Sequence, residues 1–358
     1  MKKVLISTGG SGGHVLPSLS LYDHLKNNFE VYLTTDKRGS NFINKKYYNY
    51  DLLNVPNIYS KLILFPINIF LFFFCIFKSF NYFKKKKIDF LISTGGYMSL
   101  PFCIAAKFLG IRIILYEPNS ILGRSNKFIL KNCSRILCYY EDILNFPEDL
   151  KFKIVLIQPL LREQVYNCQK NLSKNLKSEL RILILGGSQG AKFFDDLMSN
   201  VIIKLSIDNN IKVMHQIHDV SKLNFYENKY NQAGISNKIF NFNPNISDQM
   251  GKFNLAITRC GASSLAELTY LNLPFIGVPF PYAKDNHQYH NVKKYVDHNC
   301  CWILEQKNIT TDIICELIIN IRQNIDDYDE KKHNMHKISY QNSWNNVNKK
   351  LIDLINEH

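Results

Sequence analysis

Short apolar runs recur along the chain, and several of them end in a cluster of small residues followed by a helix-periodic stretch. Val4-Leu5-Ile6-Ser7 runs into Thr8-Gly9-Gly10-Ser11-Gly12-Gly13-His14, and apolar positions then repeat with helical spacing from Leu16 to Leu25. Phe29 to Thr34 reads as a second strand. Asp89 to Ser93 enters another glycine turn, Thr94-Gly95-Gly96-Tyr97, before an apolar helix through Leu109, and Ile111 to Tyr116 is a further strand ending in Glu117-Pro118-Asn119. After a polar stretch at about 167 to 179 the cycle restarts: Arg181 to Leu185 feeds Gly186-Gly187-Ser188-Gln189-Gly190-Ala191, and Ile211–Ile217, Lys238–Phe242, Leu255–Thr258 and Phe275–Val278 follow as strands. Strands alternating with helices imply parallel sheets, and two such starts imply an α/β chain of two Rossmann-like domains whose sheets face a cleft. The boundaries expected are 1–162 and 163–337, with a last helix at about 338–358 packing back on the first domain.

One segment breaks the pattern. Within the segment Leu62 to Phe83, the run Leu64 to Phe77 is almost wholly apolar, and Lys78 and then Lys84-Lys85-Lys86-Lys87 follow. The run is shorter than the roughly 20 apolar residues of a spanning helix, and Pro66 and Asn68 interrupt it, so a span is not expected. An apolar surface beside a lysine cluster fits an anionic bilayer, at about 1 kcal/mol per basic residue near the surface. The other reading is a core helix of the first domain.

Composition narrows the class. The 358 residues carry a net charge of +14, with 46% hydrophobic and 21% charged residues, which fits a globular chain of about two domains rather than a disordered one. The positive charge points to an acidic partner such as nucleic acid, anionic lipid or a phosphorylated substrate, unless it reflects AT-biased coding of Lys and Asn. Nine cysteines without CxxC spacing argue for a reducing compartment and against structural zinc. Met1 to Ser7 reaches a glycine cluster at once and leaves no room for an apolar signal core, so the chain is expected in the cytosol.

The chemistry concentrates in Thr258-Arg259-Cys260-Gly261-Ala262-Ser263-Ser264-Leu265-Ala266-Glu267. A small-residue turn opening a helix offers backbone N–H groups to phosphate, and a carboxylate shortly inside it offers an acceptor for ribose hydroxyls. Glu267 is also what a helix dipole favours on an exposed first turn. His14 stands at a second such turn, where an imidazole titrating near neutral pH serves as a general base or as a phosphate-binding cap.

The ordered set of turns at 8–14, 94–99, 117–119, 186–191 and 258–268, with Pro279-Phe280-Pro281 and Lys284-Asp285-Asn286-His287-Gln288, resembles the MurG family, the lipid-II-forming N-acetylglucosaminyltransferases of peptidoglycan synthesis. The resemblance covers nearly the whole chain. It implies the two-domain GT-B fold, with the donor UDP-N-acetylglucosamine held mainly by the second domain and the undecaprenyl-linked acceptor lipid I by the first. Ser11, Gly12 and Gly13 match the loop over the diphosphate and acceptor, with His14 the candidate catalytic base. Ser188 matches a donor-binding serine, Ala262, Ser263 and Ser264 the donor loop, and Glu267 the ribose acceptor. Gln288 matches a glutamine reading sugar hydroxyls, although an ordinary surface polar residue would look the same. Asn243 stands where the family reads uracil with its backbone, and Asn119 matches the asparagine of an H-E-x-N motif in which Tyr116 here replaces His. Tyr97 is placed in the acceptor groove. Arg162 is carried over to the donor phosphate across a register shift, because Ile157-Gln158-Pro159-Leu160-Leu161-Arg162 lacks the family's Gly-Asn pair.

The reaction implied is inverting attack of the acceptor's C4 hydroxyl on C1 of the donor sugar, making the chain a hexosyltransferase. No DxD pair occupies a cleft-forming position, so neither metal nor cofactor is expected, and backbone N–H groups would stabilise the leaving group. The anionic cytoplasmic surface of the inner membrane is the expected partner of residues 62–87, with the enzyme peripheral to it. Nucleic acid is not expected, because aromatic residues do not interleave with Lys and Arg along one face. The rival functions are a same-fold transferase acting on diacylglycerol and a nucleotide-sugar epimerase.

Overall fold

The computed structural model describes residues 1–56, 65–168, 170, 176, 178–188, 190–243 and 245–357. The chain forms two compact units, one of Met1–Glu163 with Ser343–His358 and one of Gln164–Asn342.

The first unit is built on seven strands: β1 (Lys3–Ser7), β2 (Glu30–Thr35), β3 (Asp51–Leu52), β4 (Phe90–Ser93), β5 (Arg112–Glu117), β6 (Arg135–Cys138) and β7 (Ile154–Leu156). All pairings are parallel and the order is β3-β2-β1-β4-β5-β6-β7. Strands apolar on successive positions are what a sheet covered on both faces requires, and two buried clusters lie on its two sides. Helices α1 (Gly12–Leu25), α2 (Phe65–Lys86), α3 (Leu100–Phe108) and α4 (Arg124–Ile129) follow the strands, and a short α5 (Glu163–Asn167) leads out of the unit. The second unit holds β8 (Leu180–Leu185), β9 (Ile211–Gln216), β10 (Ser236–Phe240), β11 (Leu255–Thr258), β12 (Phe275–Gly277) and β13 (Trp302–Ile303), parallel in the order β10-β9-β8-β11-β12-β13. Its helices are α6 (Lys192–Ser206), α7 (Leu223–Gln232), α8 (Ser247–Met250), α9 (Ala262–Tyr270), α10 (His287–Asp297), α11 (Thr311–Gln323) and α12 (Ile325–Ser339).

The last helix, α13 (Trp344–Asn356), belongs to the first unit and packs on α1. Ser343 caps it by accepting from the Asn346 N–H at 3.2 Å, and Val347, Leu351, Leu354 and Ile355 form the i, i+4, i+7, i+8 stripe that it buries.

The order of each sheet reverses at one place, between β1 and β4 in the first unit and between β8 and β11 in the second. Loops that leave the carboxyl ends of such neighbouring strands diverge to opposite faces and open a crevice. In each unit those two loops are the small-residue turns marked by the sequence.

Two expectations change. Pro66 and Asn68 do not interrupt the apolar run: α2 is a continuous helix from Phe65 to Lys86 that contains both. By length and composition alone this helix is apolar enough to cross a membrane, against the reading that the run falls short, and residues 62–64 lie outside the described residues. Cys75, Ile76, Ser79 and Phe83 form a buried stripe and α2 packs on α3, so one face of it is core. Phe70, Phe73 and Phe77 on other faces are 72%, 63% and 60% exposed.

Candidate active site

The first unit brings together the turns at 8–14 and 94–99. The His14 ring nitrogen Nδ1 lies 2.8 Å from the Thr94 carbonyl oxygen. A carbonyl only accepts, so Nδ1 donates in this bond and Nε2 is the nitrogen turned away from it. A Cβ on Gly95 or Gly96 would stand 3.4 Å from that ring, and both residues have φ near +80°, the conformation that calls for glycine. The glycine loop before α1 is fixed by a residue that the sequence reading passed over. Asp36, buried at the end of β2, accepts from the Gly10 N–H at 2.8 Å and the Gly39 N–H at 2.7 Å, and its other oxygen receives Arg38 Nε at 3.2 Å. Ser11 and His14 are half-buried, Gly12 is buried, and Gly13 faces solvent.

Glu117 organises the next loop. Buried at the end of β5, its Oε1 accepts from the backbone N–H and side-chain Nδ2 of Asn119, at 3.2 and 2.8 Å. Its Oε2 accepts from the Gly123 N–H at 2.8 Å and Asn126 Nδ2 at 2.9 Å. Four donors on one carboxylate set the orientation of Asn119, and Asn126 is a second buried amide that sequence reasoning missed. Its signal was only a polar residue inside a short helix. Tyr116, in place of the motif histidine, is fully buried and its hydroxyl bonds that of Tyr139, which in turn accepts from the Leu160 N–H at 2.8 Å. That Tyr139 hydroxyl ties β6 to the segment leading to Arg162, which is half-buried in this first unit. Tyr97 is half-buried, with its ring 5.7 Å from that of Phe72.

In the second unit the turn after β8 is built on glycines, for space at Gly186 and Gly190 and for backbone conformation at Gly187 and Gly190. A Cβ on Gly186 would sit 2.4 Å from the Ala191 nitrogen, Gly187 and Gly190 have φ of +80° and +71°, and Ser188 is held half-buried between them. Gln216, buried at the end of β9, accepts from the Gly186 N–H at 2.9 Å and donates to the carbonyls of Gly187 and Asn241 at 2.9 and 2.8 Å. It therefore joins the glycine turn to the loop carrying Asn243, whose Oδ1 accepts from the Asn245 N–H at 2.9 Å. Asp195, in the first turn of α6, accepts from the His218 N–H at 3.1 Å; burial pushes its carboxyl up, against the backbone bonds that favour the charged form.

The turn after β11 opens α9, whose first residues are Ala262, Ser263 and Ser264, all half-buried. The first N–H groups of a helix have no partner within it and so face whatever stands before it. Glu267 follows one turn later, only 7% exposed. Gln288 near the start of α10 accepts through Oε1 from the Cys260 and Phe280 N–H groups, at 3.2 and 2.9 Å. Two N–H partners identify that atom as oxygen and turn the amide nitrogen, a donor, the other way. Asp285 and Asn286, just before it, both have φ near +54° without being glycine, a strain that concentrates at functional loops. Arg259 holds the two turns together. Its Nη1 donates to the Val278 and Pro279 carbonyls at 3.1 and 3.3 Å, and its Nη2 donates to Gln306 at 2.6 Å. Phe193, Phe194 and Phe280 stand around the guanidinium, and burial lowers it to about 10.

No group of three or more His, Cys, Asp or Glu side chains that could hold a metal occurs among the described residues. All nine cysteines are free thiols, eight of them buried.

Two parallel α/β units, each with a small-residue turn at the reversal of its sheet, define the GT-B class of nucleotide-sugar enzymes. Residues 4–138 match the glycosyltransferase family 28 N-terminal domain and residues 181–347 the glycosyltransferase family 28 C-terminal domain. The chain belongs to glycosyltransferase family 28. The UDP-N-acetylglucosamine–N-acetylmuramyl-(pentapeptide) pyrophosphoryl-undecaprenol N-acetylglucosamine transferase of Pelagibacter ubique is 46% identical over 357 residues, covering 100% of this chain and 99% of that one. The Rickettsia felis protein of the same name is 33% identical over 340 residues, covering 90% of this chain and 92% of its own. Among solved structures, Acinetobacter baumannii MurG superposes with a TM-score of 0.74 at 21% identity over 99% of both chains. A UDP-N-acetylglucosamine 2-epimerase superposes with a TM-score of 0.64 at 13% identity over 99% of this chain and 95% of that one. Both superpositions speak to the fold alone.

Proposed function

We propose that the chain transfers N-acetylglucosamine from UDP-N-acetylglucosamine to the C4 hydroxyl of undecaprenyl-pyrophosphoryl-N-acetylmuramyl-pentapeptide, forming lipid II for peptidoglycan. The observation that carries this is the 46% identity to the Pelagibacter transferase over the whole chain. The fold does not separate a transferase from an epimerase. Identity at this level along both units, with both family 28 domains in order, favours transfer.

In this reading the acceptor's C4 oxygen attacks C1 of the sugar from the face opposite the departing UDP. The new C1–O bond forms as the C1–O bond to the β-phosphate breaks, with inversion at C1. The hydroxyl proton goes to Nε2 of His14, the ring nitrogen that is not engaged with the Thr94 carbonyl. Charge growing on the diphosphate is met by the N–H groups of the turns at 186–191 and 261–264 and by the dipoles of α6 and α9. Glu267 accepts from the ribose hydroxyls, Gln288 donates to a sugar oxygen, Asn243 presents backbone to uracil, and Ser188 binds diphosphate. Asn119 and Arg162 contribute from the first unit, where Ser11, Gly12, Gly13 and Tyr97 hold the acceptor.

The acceptor's lipid stays in the bilayer, so the first unit works at the cytoplasmic membrane face. The exposed Phe70, Phe73 and Phe77 of α2, followed by Lys84 to Lys87, suit an anionic surface. The stripe that α2 buries favours a helix lying along its unit over one crossing the bilayer.

The test is transfer from UDP-N-acetylglucosamine to a short-chain lipid I analogue. The unaltered chain should turn over, and His14→Ala and Glu267→Ala should each lose at least about 100-fold in kcat/KM. Turnover unchanged in both variants removes the site; none by the unaltered chain removes the function.

A further inference from the structure

On one turn of α2, Phe70 and Phe73 point to solvent while Phe72 reaches the ring of Tyr97, at 5.7 Å between centroids. Tyr97 lies in the loop Gly95-Gly96-Tyr97-Met98, and that loop touches the reacting end of the unit in two places. Its glycines pass so close to His14 that a Cβ on either would stand 3.4 Å from the imidazole. Its Met98 is buried against Gly9, where a Cβ would lie 2.8 Å from the Met98 Cγ. Ser99 ties the loop to itself, donating to the Gly95 and Gly96 carbonyls at 3.2 and 2.9 Å. The loop is therefore a single braced piece, seated on α2 at one end and on His14 and Gly9 at the other.

We infer that Phe72 is a positioning residue for transfer: its contact with Tyr97 holds the loop that sets the His14 ring, so the helix that meets the bilayer also sets the geometry of the base. This rests on the transfer reading above. Phe72 touches no reacting atom in this account. Its weight comes from the cost of misplacing a base: reacting groups must meet at about 3 Å, and a shift of about 1 Å costs on the order of 100-fold in rate. Two glycines with positive φ carry no side chains to hold the loop, so Met98 at Gly9 and Tyr97 on Phe72 are the side chains that seat its two ends. Phe72 also packs on the buried cluster that holds Ile76 and Phe83, so its ring links that core to Tyr97.

The experiment compares the full chain with Phe72→Ala and Phe72→Tyr, using UDP-N-acetylglucosamine and a short-chain lipid I analogue, with sedimentation on phosphatidylglycerol vesicles beside it. The expected result is a fall of about ten-fold in kcat for Phe72→Ala, with the donor KM within about two-fold. Vesicle binding should be unchanged, and kcat should return in Phe72→Tyr, which keeps the ring. A normal kcat in Phe72→Ala overturns the inference, as does a loss of kcat that Phe72→Tyr does not restore, or a loss of vesicle binding with kcat intact. If the unaltered chain fails to transfer, the transfer reading falls and this role falls with it.

Discussion

Gln216 is a single buried amide that serves two loops of the second unit. Its oxygen accepts from Gly186, and its nitrogen donates to Gly187 and Asn241. Nothing near it in sequence distinguishes it from the strand polar residues that any edge tolerates, because its partners are supplied by β8 and β10, the neighbours of β9 in the sheet. Gln216→Leu keeps the volume and removes all three bonds, leaving buried backbone groups without partners at about 1–3 kcal/mol each. The expected outcome is a donor KM raised about ten-fold or more with a smaller change in kcat, read by initial rates at varied UDP-N-acetylglucosamine. Arg259 belongs to the same scale. The sequence marked its turn, but only the fold shows a guanidinium held by carbonyls and ringed by phenylalanines.

At the scale of elements, what was legible was set by burial on both faces and by glycine. Strands β1, β4, β8 and β11 are apolar runs ending in small-residue turns, and each lies where the reading put it. The short strands β3, β7 and β13 carry two or three residues each and too little pattern to be seen. In helix α2 Pro66 and Asn68 were weighed as breaks, yet the helix runs unbroken through both. The end of the helical stretch after α4 shows a device that no periodicity reveals. Lys153, only 8% exposed, donates to the carbonyls of Leu130, Lys131 and Cys133 at 3.0, 2.8 and 2.7 Å. Those carbonyls close a helical run, where a cation is favoured by the dipole and the orphan acceptors need donors. Lys153→Met keeps the stem and removes the ammonium. The first unit should lose on the order of 2–4 kcal/mol by urea denaturation.

At the scale of the whole molecule, each unit buries one histidine away from its small-residue turns. His24 on α1 stacks on Trp344 of α13, 3.7 Å between ring centroids, which ties the returning C-terminal helix to the first unit. His215 on β9 has Nδ1 2.9 Å from the Tyr230 hydroxyl and finds no hydrogen-bond partner for Nε2 among the described residues. Burial lowers both to about 3 from an ordinary 6.5. The sign follows from proton counts. Between about 6.5 and 3 the unfolded chain holds a proton on each ring that the folded chain refuses, so stability falls as the pH drops through that window and levels off below it. At full effect each ring contributes about 1.4 kcal/mol per pH unit. Between pH 6.5 and 5, above the range where carboxylates join in, each unit should therefore lose about 2 kcal/mol. The units carry separate histidines, so the loss can be assigned. His24→Leu should flatten the pH dependence of the first unit's unfolding and leave that of the second, with urea transitions followed at pH 7, 6 and 5 by the fluorescence of Trp344 and Trp302, one in each unit. An unchanged slope for the first unit in His24→Leu would mean that this ring is already protonated in the fold, and that its stack on Trp344 holds a cation.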